Sequence, residues 1–171
     1  MPDAANASGR RVRVDELDRE VLALFSAEPR IGVLEASRRL GVARGTVQAR
    51  LDRLVRDGVV RSWAPQLDPA ALGYPVTAFA TLAIRQGVGH DVIGDRLAGI
   101  PEVLEVHTIT GAGDLWCRLV ARSNADLQRV IDAVLACDGV ERGESVIALA
   151  DLVHYRVLPL LTTVAGAARG R

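Results

Sequence analysis

Residues Val33–Gly58 read VLEASRRLGVARGTVQARLDRLVRDG, and this stretch decides the fold of the N-terminal part of the chain. It predicts a short helix over about Val33–Leu40 and a longer one over about Arg44–Arg56. Gly41 separates them, and glycine suits the left-handed turn that ends a helix. Gly58 follows the second helix in the same way. Two helices joined by so short a turn are typical of a helix-turn-helix.

Arginine is concentrated in and around this stretch. The chain has 171 residues, with 21 basic residues, all of them Arg, and 21 acidic residues. Residues 1–62 hold 12 Arg and 9 acids, whereas residues 63–171 hold 9 Arg and 12 acids. From Arg38 to Arg61 there are seven Arg and only two acids. A basic segment on a neutral protein predicts contact with a polyanion, although a solvated charged face is the simpler alternative.

The second helix offers side chains that suit contacts with DNA. Its apolar positions Val47, Leu51 and Leu54 share one face, which we expect to be buried. A recognition helix contacts base edges with residues near its N-terminus, and neighbouring cations hold the phosphates. The predicted base-reading residues are Thr46, Ala49 and Arg50, the predicted phosphate ligands are Arg38, Arg53 and Arg61, and Arg44 completes the predicted DNA-binding set.

Other patterns border this motif. Asp15 suits the N-cap of a first helix that Pro29 ends. After the recognition helix, Val59–Trp63 is rich in β-forming residues. Asp68–Gly73 then predicts a one-turn helix with an Asp cap, Pro at the first position and Gly at the end.

The second half of the chain alternates strand and helix patterns in the order β-α-β-β-α-β. This order predicts a ferredoxin-like domain and, with the first half, an α+β protein. The predicted strands are Val76–Arg85, Val103–Thr110, Leu115–Arg122 and a last one beginning at Val146–Leu149 and resumed at Val153–Val157; the predicted helices are His90–Leu97 and Asn124–Cys137. Because the helices cover one face of such a sheet, the other face requires a partner, which predicts oligomerisation.

These patterns predict a division of the chain into five parts. Residues 14–62 form a DNA-binding domain, residues 63–74 a linker strand and turn, and residues 75–160 a domain for ligand binding and oligomerisation. Residues 1–13 and 161–171 are expected to be flexible ends.

Several classes of protein are disfavoured by the residues present. No apolar run approaches the roughly 20 residues that span a bilayer, and the N-terminus lacks the apolar core of a signal peptide, so we expect a cytoplasmic protein without membrane contact. The two cysteines and three histidines have no metal-ligand spacing, and we predict neither a metal site nor a cofactor. No catalytic pattern or dinucleotide fingerprint is present, which argues against an enzyme. Cys117 is expected to be a small buried thiol.

The sequence resembles the Lrp/AsnC (leucine-responsive, feast/famine) transcriptional regulators over about residues 14–160. The resemblance is carried by an ordered set of short motifs: Leu17-Asp18-Arg19, Arg30-Ile31, Leu40-Gly41-Val42, Arg50-Leu51-Asp52-Arg53-Leu54, Gly58-Val59-Val60, residues 67–73 and Thr110-Gly111-Ala112-Gly113-Asp114-Leu115. Two positions depart from the family pattern. Ala43 stands where the family often has a capping Ser, and Gly113 stands where an aromatic residue is common.

The resemblance implies a winged helix-turn-helix joined to a βαββαβ regulatory domain. It also implies a homodimer formed through the sheet face, assembly into a higher oligomer such as an octamer, and an amino acid bound between dimers. The implied effector site is the turn Thr110, Gly111, Ala112, Gly113 and Asp114, completed by Gly139, Val140 and Ser145. Glycines in a tight turn leave backbone N–H groups open to an α-carboxylate; Asp114 is either a ligand for an α-amino group or a cap of the hairpin.

The function predicted from the sequence is therefore a sequence-specific regulator that binds double-stranded DNA and responds to a small-molecule effector, an amino acid. One alternative is an architectural protein that wraps DNA without a ligand. Another is an amino-acid enzyme that carries a regulatory domain, which is disfavoured because no catalytic module remains after the two domains are assigned.

Overall fold

A computed structural model describes residues 12–161 of the chain. Most of the two predicted flexible ends, 1–13 and 161–171, therefore lies outside the described residues. The described part contains the helices α1 (Glu16–Ala27), α2 (Val33–Leu40), α3 (Arg44–Arg56), α4 (His90–Ala98) and α5 (Asn124–Leu135), and the strands β1 (Val76–Ile84), β2 (Val103–Thr108), β3 (Leu115–Ala121) and β4 (Val140–Ile147). Residues 159–161 are also helical.

The chain divides into two compact units. One comprises the described residues up to Pro65 together with those from His154 onward, and the other spans Gln66–Val153. The division after Pro65 falls within the predicted linker 63–74. Each unit has a separate apolar core.

Three helices form the core of the N-terminal unit. Asp15 caps α1 as predicted, and a reciprocal capping box joins it to Asp18: each side chain accepts a hydrogen bond from the other residue's backbone N–H at 2.9 Å. This arrangement satisfies two N–H groups that a helix start would otherwise leave unpaired. The buried core residues come from all three helices: Val21, Phe25, Ala36, Val47 and Leu51.

The second unit is a four-stranded antiparallel sheet in the order β2-β3-β1-β4. Its topology confirms the predicted ferredoxin-like βαββαβ pattern. Residues alternate between the two sides of each strand: Ala80 of β1 and Cys117 of β3 are buried, whereas their neighbours Phe79 and Trp116 are only half-buried. The core contains Ile93 and Leu97 of α4 and Leu127, Val130 and Val134 of α5, so the helices cover the face that bears Ala80 and Cys117. Burial raises the pKa of the Cys117 thiol to about 11, as suits the predicted buried thiol.

The last strand differs from the prediction. β4 begins at Val140, six residues before the predicted Val146, and no strand is assigned to the predicted continuation 153–157. The strand pairs with β1 from Val140 opposite Ile84 to Ile147 opposite Ala78. It lies at the sheet edge and seven of its eight residues are exposed. An exposed edge strand has no apolar alternation, so its pairing with β1 was not visible in the sequence pattern.

The β-rich run Val59–Trp63 is not a strand in the structure. The N–H groups of Val59 and Val60 donate to the carbonyl of Leu54 at the end of α3, and no strand among the described residues pairs with the run. A β-propensity signal needs a partner strand to become a ladder. The predicted one-turn helix at Asp68–Gly73 is a hydrogen-bonded turn, in which the Asp68 carboxylate accepts the Ala70 N–H at 3.0 Å. The other predicted elements agree with the structure to within two residues.

Candidate nucleic-acid interface and effector turn

The turn between α2 and α3 fixes the entry of the candidate recognition helix. Gly41 has a φ of 65°, a left-handed conformation that a side chain would strain. Its N–H donates to the Arg38 carbonyl, and the next N–H, of Val42, donates to the Ser37 carbonyl. Both bonds satisfy carbonyls at the end of α2, so the chain turns tightly and α3 starts three residues later.

The helix α3 has one buried face and one exposed face. Val47, Leu51 and Leu54 are buried, as the sequence predicted. Of the predicted base readers, Ala49 is exposed, and Thr46 and Arg50 are half-buried. The N-cap residue Ala43 makes no side-chain hydrogen bond to the helix start, which is the expected effect of alanine at this position.

Arg50 and Arg53 face the start of α1. Arg50 Nη1 lies 3.0 Å from Asp18 Oδ1 and also contacts the Asp15 carboxylate. Arg53 Nη2 lies 2.5 Å from Asp18 Oδ2, and Arg53 Nη1 donates to the carbonyl of Arg13 at 3.3 Å. Asp18 is fully buried, and each arginine side chain is 29% exposed. Two arginines that the sequence assigned to DNA therefore pair with carboxylates inside the same unit.

The charges of this cluster stabilise one another. Hydrogen bonds to Asp15 and then to Asp18 raise the pKa of Arg50, and the Asp18 carboxylate raises the pKa of Arg53. Burial acts to raise the pKa of Asp15, but hydrogen bonds from Arg50 and from the Asp18 N–H outweigh it, so that the pKa of Asp15 is lowered. All three groups therefore stay ionised at neutral pH.

The other predicted cations are accessible. The Arg38 side chain is 69% exposed and lies 3.7 Å from Glu35, a contact that water screens. Arg44 and Arg61 are exposed, and neither makes an ion pair with a carboxylate in residues 12–161. These three residues keep their charge available for a polyanion.

Two exposed polar residues of α3 were missed in the sequence. Gln48 and Asp52 both lie at the surface, and Gln48 Nε2 donates to Asp52 Oδ1 at 2.8 Å. They are one turn apart, which brings their side chains together on the helix surface. Helical spacing from Val47 could have shown that Gln48 lies outside the apolar stripe.

The predicted effector turn is tied to the end of β1. The Asp114 carboxylate accepts the Ile84 N–H at 2.9 Å, and the Asp114 N–H donates to the Leu82 carbonyl at 2.9 Å. Asp114 thus joins the β2–β3 hairpin to a neighbouring strand, which is close to the predicted cap role. Gly111 has a φ of 119° and needs to be glycine for that reason.

Gly113 lies against β1 so closely that a side chain does not fit without movement. A Cβ at this position would be 2.4 Å from Thr81 Cγ2 and 3.0 Å from the Leu82 carbonyl oxygen. The turn therefore packs closely on β1 at the position where the family commonly has an aromatic residue, and this close packing leaves no room for a side chain.

Of the predicted effector residues on and beside β4, two lie near the turn and one lies farther along the strand. Gly139 is buried and its carbonyl accepts the Arg85 N–H at 2.8 Å, while Val140 pairs with Ile84. Both therefore lie at the end of the sheet that also holds Asp114. Ser145 pairs with Ala80, which lies four residues, or about 13 Å, along β1 from Ile84. Thr110 and Ala112 lie within the turn itself.

In residues 12–161, no group of three or more His, Cys, Asp or Glu side chains is arranged to hold a metal ion. No helix of this part of the chain is both long enough and apolar enough to cross a membrane.

Comparison with known proteins assigns each half of the chain a domain type. A family model described as the Lrp/AsnC ligand binding domain matches residues 77–158, and a model described as winged helix-turn-helix DNA-binding matches residues 14–61. An HTH-type transcriptional regulator of Pyrococcus abyssi is 34% identical over 140 residues, which are 81% of this chain and 88% of the relative.

Solved structures agree with this fold. The structure of E. coli AsnC superposes with a TM-score of 0.78 at 24% identity, covering 85% of this chain and 99% of that one. The feast or famine regulatory protein of M. tuberculosis, solved in complex with L-methionine, has a TM-score of 0.75 at 25% identity and covers 84% of this chain and 97% of its own.

The match to the P. abyssi regulator spans most of this chain. The two family models match its N-terminal and C-terminal halves in order. The resemblance first carried by short motifs is thereby confirmed: this chain belongs to the Lrp/AsnC family of transcriptional regulators, with a DNA-binding helix-turn-helix and an Lrp-type ligand-binding domain.

Proposed function

We propose that this protein is a sequence-specific regulator that inserts α3 into the major groove of its operator and responds to an amino acid bound by the C-terminal domain. The observation that carries the first part is the distribution of side chains on α3. The first half of the helix exposes Arg44, Gly45 and Ala49, which is a cation followed by two residues small enough to let the backbone approach base edges.

Cations around α3 support phosphate contact. Arg38 and Arg61 are exposed and lie before and after the helix in the chain. Each phosphate that such a cation neutralises releases condensed counterions, which makes binding dependent on salt. The proposed region of contact comprises Arg38, Arg44, Thr46, Ala49, Arg50, Arg53 and Arg61. Within it, Arg50 and Arg53 also pair with Asp18 of α1.

A dimer formed through the open sheet face would present two copies of α3. On this face Phe79 stacks on Trp116 with ring centroids 5.0 Å apart, and His107 lies 5.7 Å from the same indole. Val146, which pairs with Phe79, is 65% exposed. A row of apolar and aromatic side chains across neighbouring strands is the composition of an interface core. We propose that a second copy covers it, and that dimers assemble further, for instance into an octamer as the family resemblance implies.

The proposed effector is an amino acid at the Thr110–Asp114 turn. The M. tuberculosis relative was solved with L-methionine, which supports this ligand class. Backbone N–H groups around Gly111 suit an α-carboxylate. Since Asp114 already accepts the Ile84 N–H, we assign it to holding the turn in place, with its second oxygen left for an α-amino group. Gly139, Val140 and Ser145 remain proposed members of the site.

The DNA part is tested by selection. The full chain is used to select binding sites from a random duplex library, and the selected and scrambled duplexes are then titrated. The proposal expects one preferred sequence with two related half-sites. If no sequence is enriched, or if the selected and scrambled duplexes bind equally well, an architectural protein that wraps DNA would be favoured instead.

The effector part is tested by calorimetric titration of the twenty amino acids into the wild type and Gly111→Val. Valine strains the left-handed backbone at this position and should abolish binding of any amino acid that binds the wild type. Unchanged affinity in Gly111→Val would place the site elsewhere. Absence of binding by the wild type would contradict the amino-acid effector but leave the DNA proposal intact.

A further inference from the structure

We infer that Gln48, held by Asp52, is the base-reading side chain of α3, and that Arg50 and Arg53 act as positioning residues. This inference rests on the proposed function, because it requires α3 to lie in the major groove. Arg50 and Arg53 form a set that faces the start of α1. Gln48 and Asp52 form an outward set, which is exposed and borders a groove that Phe25 and Trp63 also line.

The set facing α1 already has ionic partners within the N-terminal unit. Asp18 is fully buried and accepts contacts from Arg50 at 3.0 Å and Arg53 at 2.5 Å. Moving either guanidinium to DNA would deprive a buried carboxylate of one of its two arginine partners, which is more costly than breaking an exposed ion pair. The two arginines therefore fix the angle of α3 on α1 in the complex as in the free protein.

The outward set contains a side chain suited to base recognition. Gln48 is exposed in the second turn of α3, at the end that enters the groove in helix-turn-helix proteins. A glutamine amide pairs with adenine through two hydrogen bonds, since its carbonyl accepts from N6 and its N–H donates to N7. Gln48 is uncharged, so it contributes discrimination between bases without adding to phosphate attraction.

Asp52 orients the Gln48 amide before the amide contacts a base. One N–H of Gln48 Nε2 donates to Asp52 Oδ1 at 2.8 Å, which orients the amide and leaves the second N–H and the Oε1 oxygen for a base. Restricting the side chain before binding lowers the entropy lost on contact. The same i,i+4 pair occurs on α5, where Gln128 Nε2 donates to Asp132 Oδ1 at 2.8 Å. This second pair provides a matched control outside the DNA-binding unit.

The test compares full-length variants on one duplex selected by the wild type and on every single-base change of it. Gln48→Ala is expected to reduce the preference for one A·T base pair in each half-site by about 5-fold to 150-fold. Its affinity for random DNA should stay within about twofold. Gln128→Ala should match the wild type on every duplex.

The positioning residues should behave differently. Asp18→Asn, whose side chain is buried and cannot reach DNA, and Arg50→Lys are both expected to weaken all duplexes by one common factor while the ranking of bases is retained. Arg50→Ala should show the same uniform loss with a larger factor. Circular dichroism at the assay temperature identifies variants that have unfolded. If Arg50→Ala is unfolded, Arg50→Lys is used in its place.

Two results would overturn the inference. Gln48→Ala with the wild-type ranking at every position would remove Gln48 from base reading. A loss confined to one base pair in Arg50→Lys would show that Arg50 reads that base directly. A wild type with no preferred sequence would be recognised in the initial selection, and it would overturn the proposed function together with this inference.

Discussion

Asp18 and Arg53 meet across the boundary between α1 and α3, where the fully buried Asp18 Oδ2 lies 2.5 Å from Arg53 Nη2. Arg50 shares the same carboxylate, so the N-terminal capping box of α1 and two turns of α3 form one ionic cluster. The position of the candidate recognition helix on α1 therefore depends on an ionic cluster within the N-terminal unit.

The first prediction concerns the stability of this cluster. Arg53→Ala should lower the free energy of unfolding by about 2 kcal/mol or more, because it leaves a buried carboxylate short of a partner. Arg56→Ala is the matched control on the same helix: Arg56 is exposed, pairs with no carboxylate in residues 12–161, and should change stability by less than about 0.5 kcal/mol. Urea unfolding followed by circular dichroism measures both, and equal effects would argue against the structural role.

The second prediction concerns the glycine of the effector turn. Gly113→Ala should destabilise the protein by about 1–3 kcal/mol, because its Cβ would be 2.4 Å from Thr81 Cγ2. Gly94→Ala in α4 is the control, since no atom lies within 4 Å of its added Cβ and alanine favours a helix by about 1 kcal/mol. Thermal unfolding should thus show opposite signs for the two variants. A neutral Gly113→Ala would mean that Thr81 moves aside at little cost.

The third prediction concerns acid stability. Glu102 accepts a hydrogen bond from Arg129 at 2.6 Å, and this bond lowers the pKa of Glu102 despite the opposing effect of burial. A carboxylate with a lowered folded-state pKa contributes its stability fully above the unfolded pKa of about 4.3, and this stability is lost as the pH falls through the lower folded value. Glu102→Gln should therefore be less stable than the wild type at pH 7, and the difference should shrink between about pH 5 and pH 3. A difference that does not change with pH would contradict this assignment.

The fourth prediction concerns the open face of the sheet. Trp116→Glu places a charge beside Phe79 at the centre of the proposed dimer interface and should shift the protein to a monomer in light scattering at micromolar concentration. Val92→Glu is the control, because Val92 is 47% exposed on α4, and the helices lie on the opposite side of the sheet. A dimer that survives Trp116→Glu would require a different interface.

The sequence predicted most of the fold because its elements follow strong local rules. The bounds of α2 and α3 were predicted to the residue, since Gly41 and Gly58 mark their ends and the apolar positions repeat at helical spacing. The topology of the sheet followed from the order of elements. β4 was misplaced because an exposed edge strand carries no buried stripe, and Val59–Trp63 had the propensity of a strand but no partner.

The candidate site was predictable in place but not in detail. Charge and spacing located the recognition helix, yet neither shows that Arg50 and Arg53 face Asp18, because that contact joins helices that are distant in sequence. Spacing likewise could not show that Asp114 donates its N–H to β1 and accepts another from it. Tertiary pairing of polar side chains is what the local patterns leave out.

The placement of α3 on DNA is tested most directly by the salt dependence of DNA binding by the full chain, measured by fluorescence anisotropy on the selected duplex and on a scrambled duplex. We expect tighter binding of the selected duplex at every salt concentration. We also expect Arg44→Ala to reduce the slope of log K against log salt by about 0.9, the value for one lost phosphate contact. Equal affinity for both duplexes, or a slope that Arg44→Ala leaves unchanged, would contradict the placement of α3 on DNA.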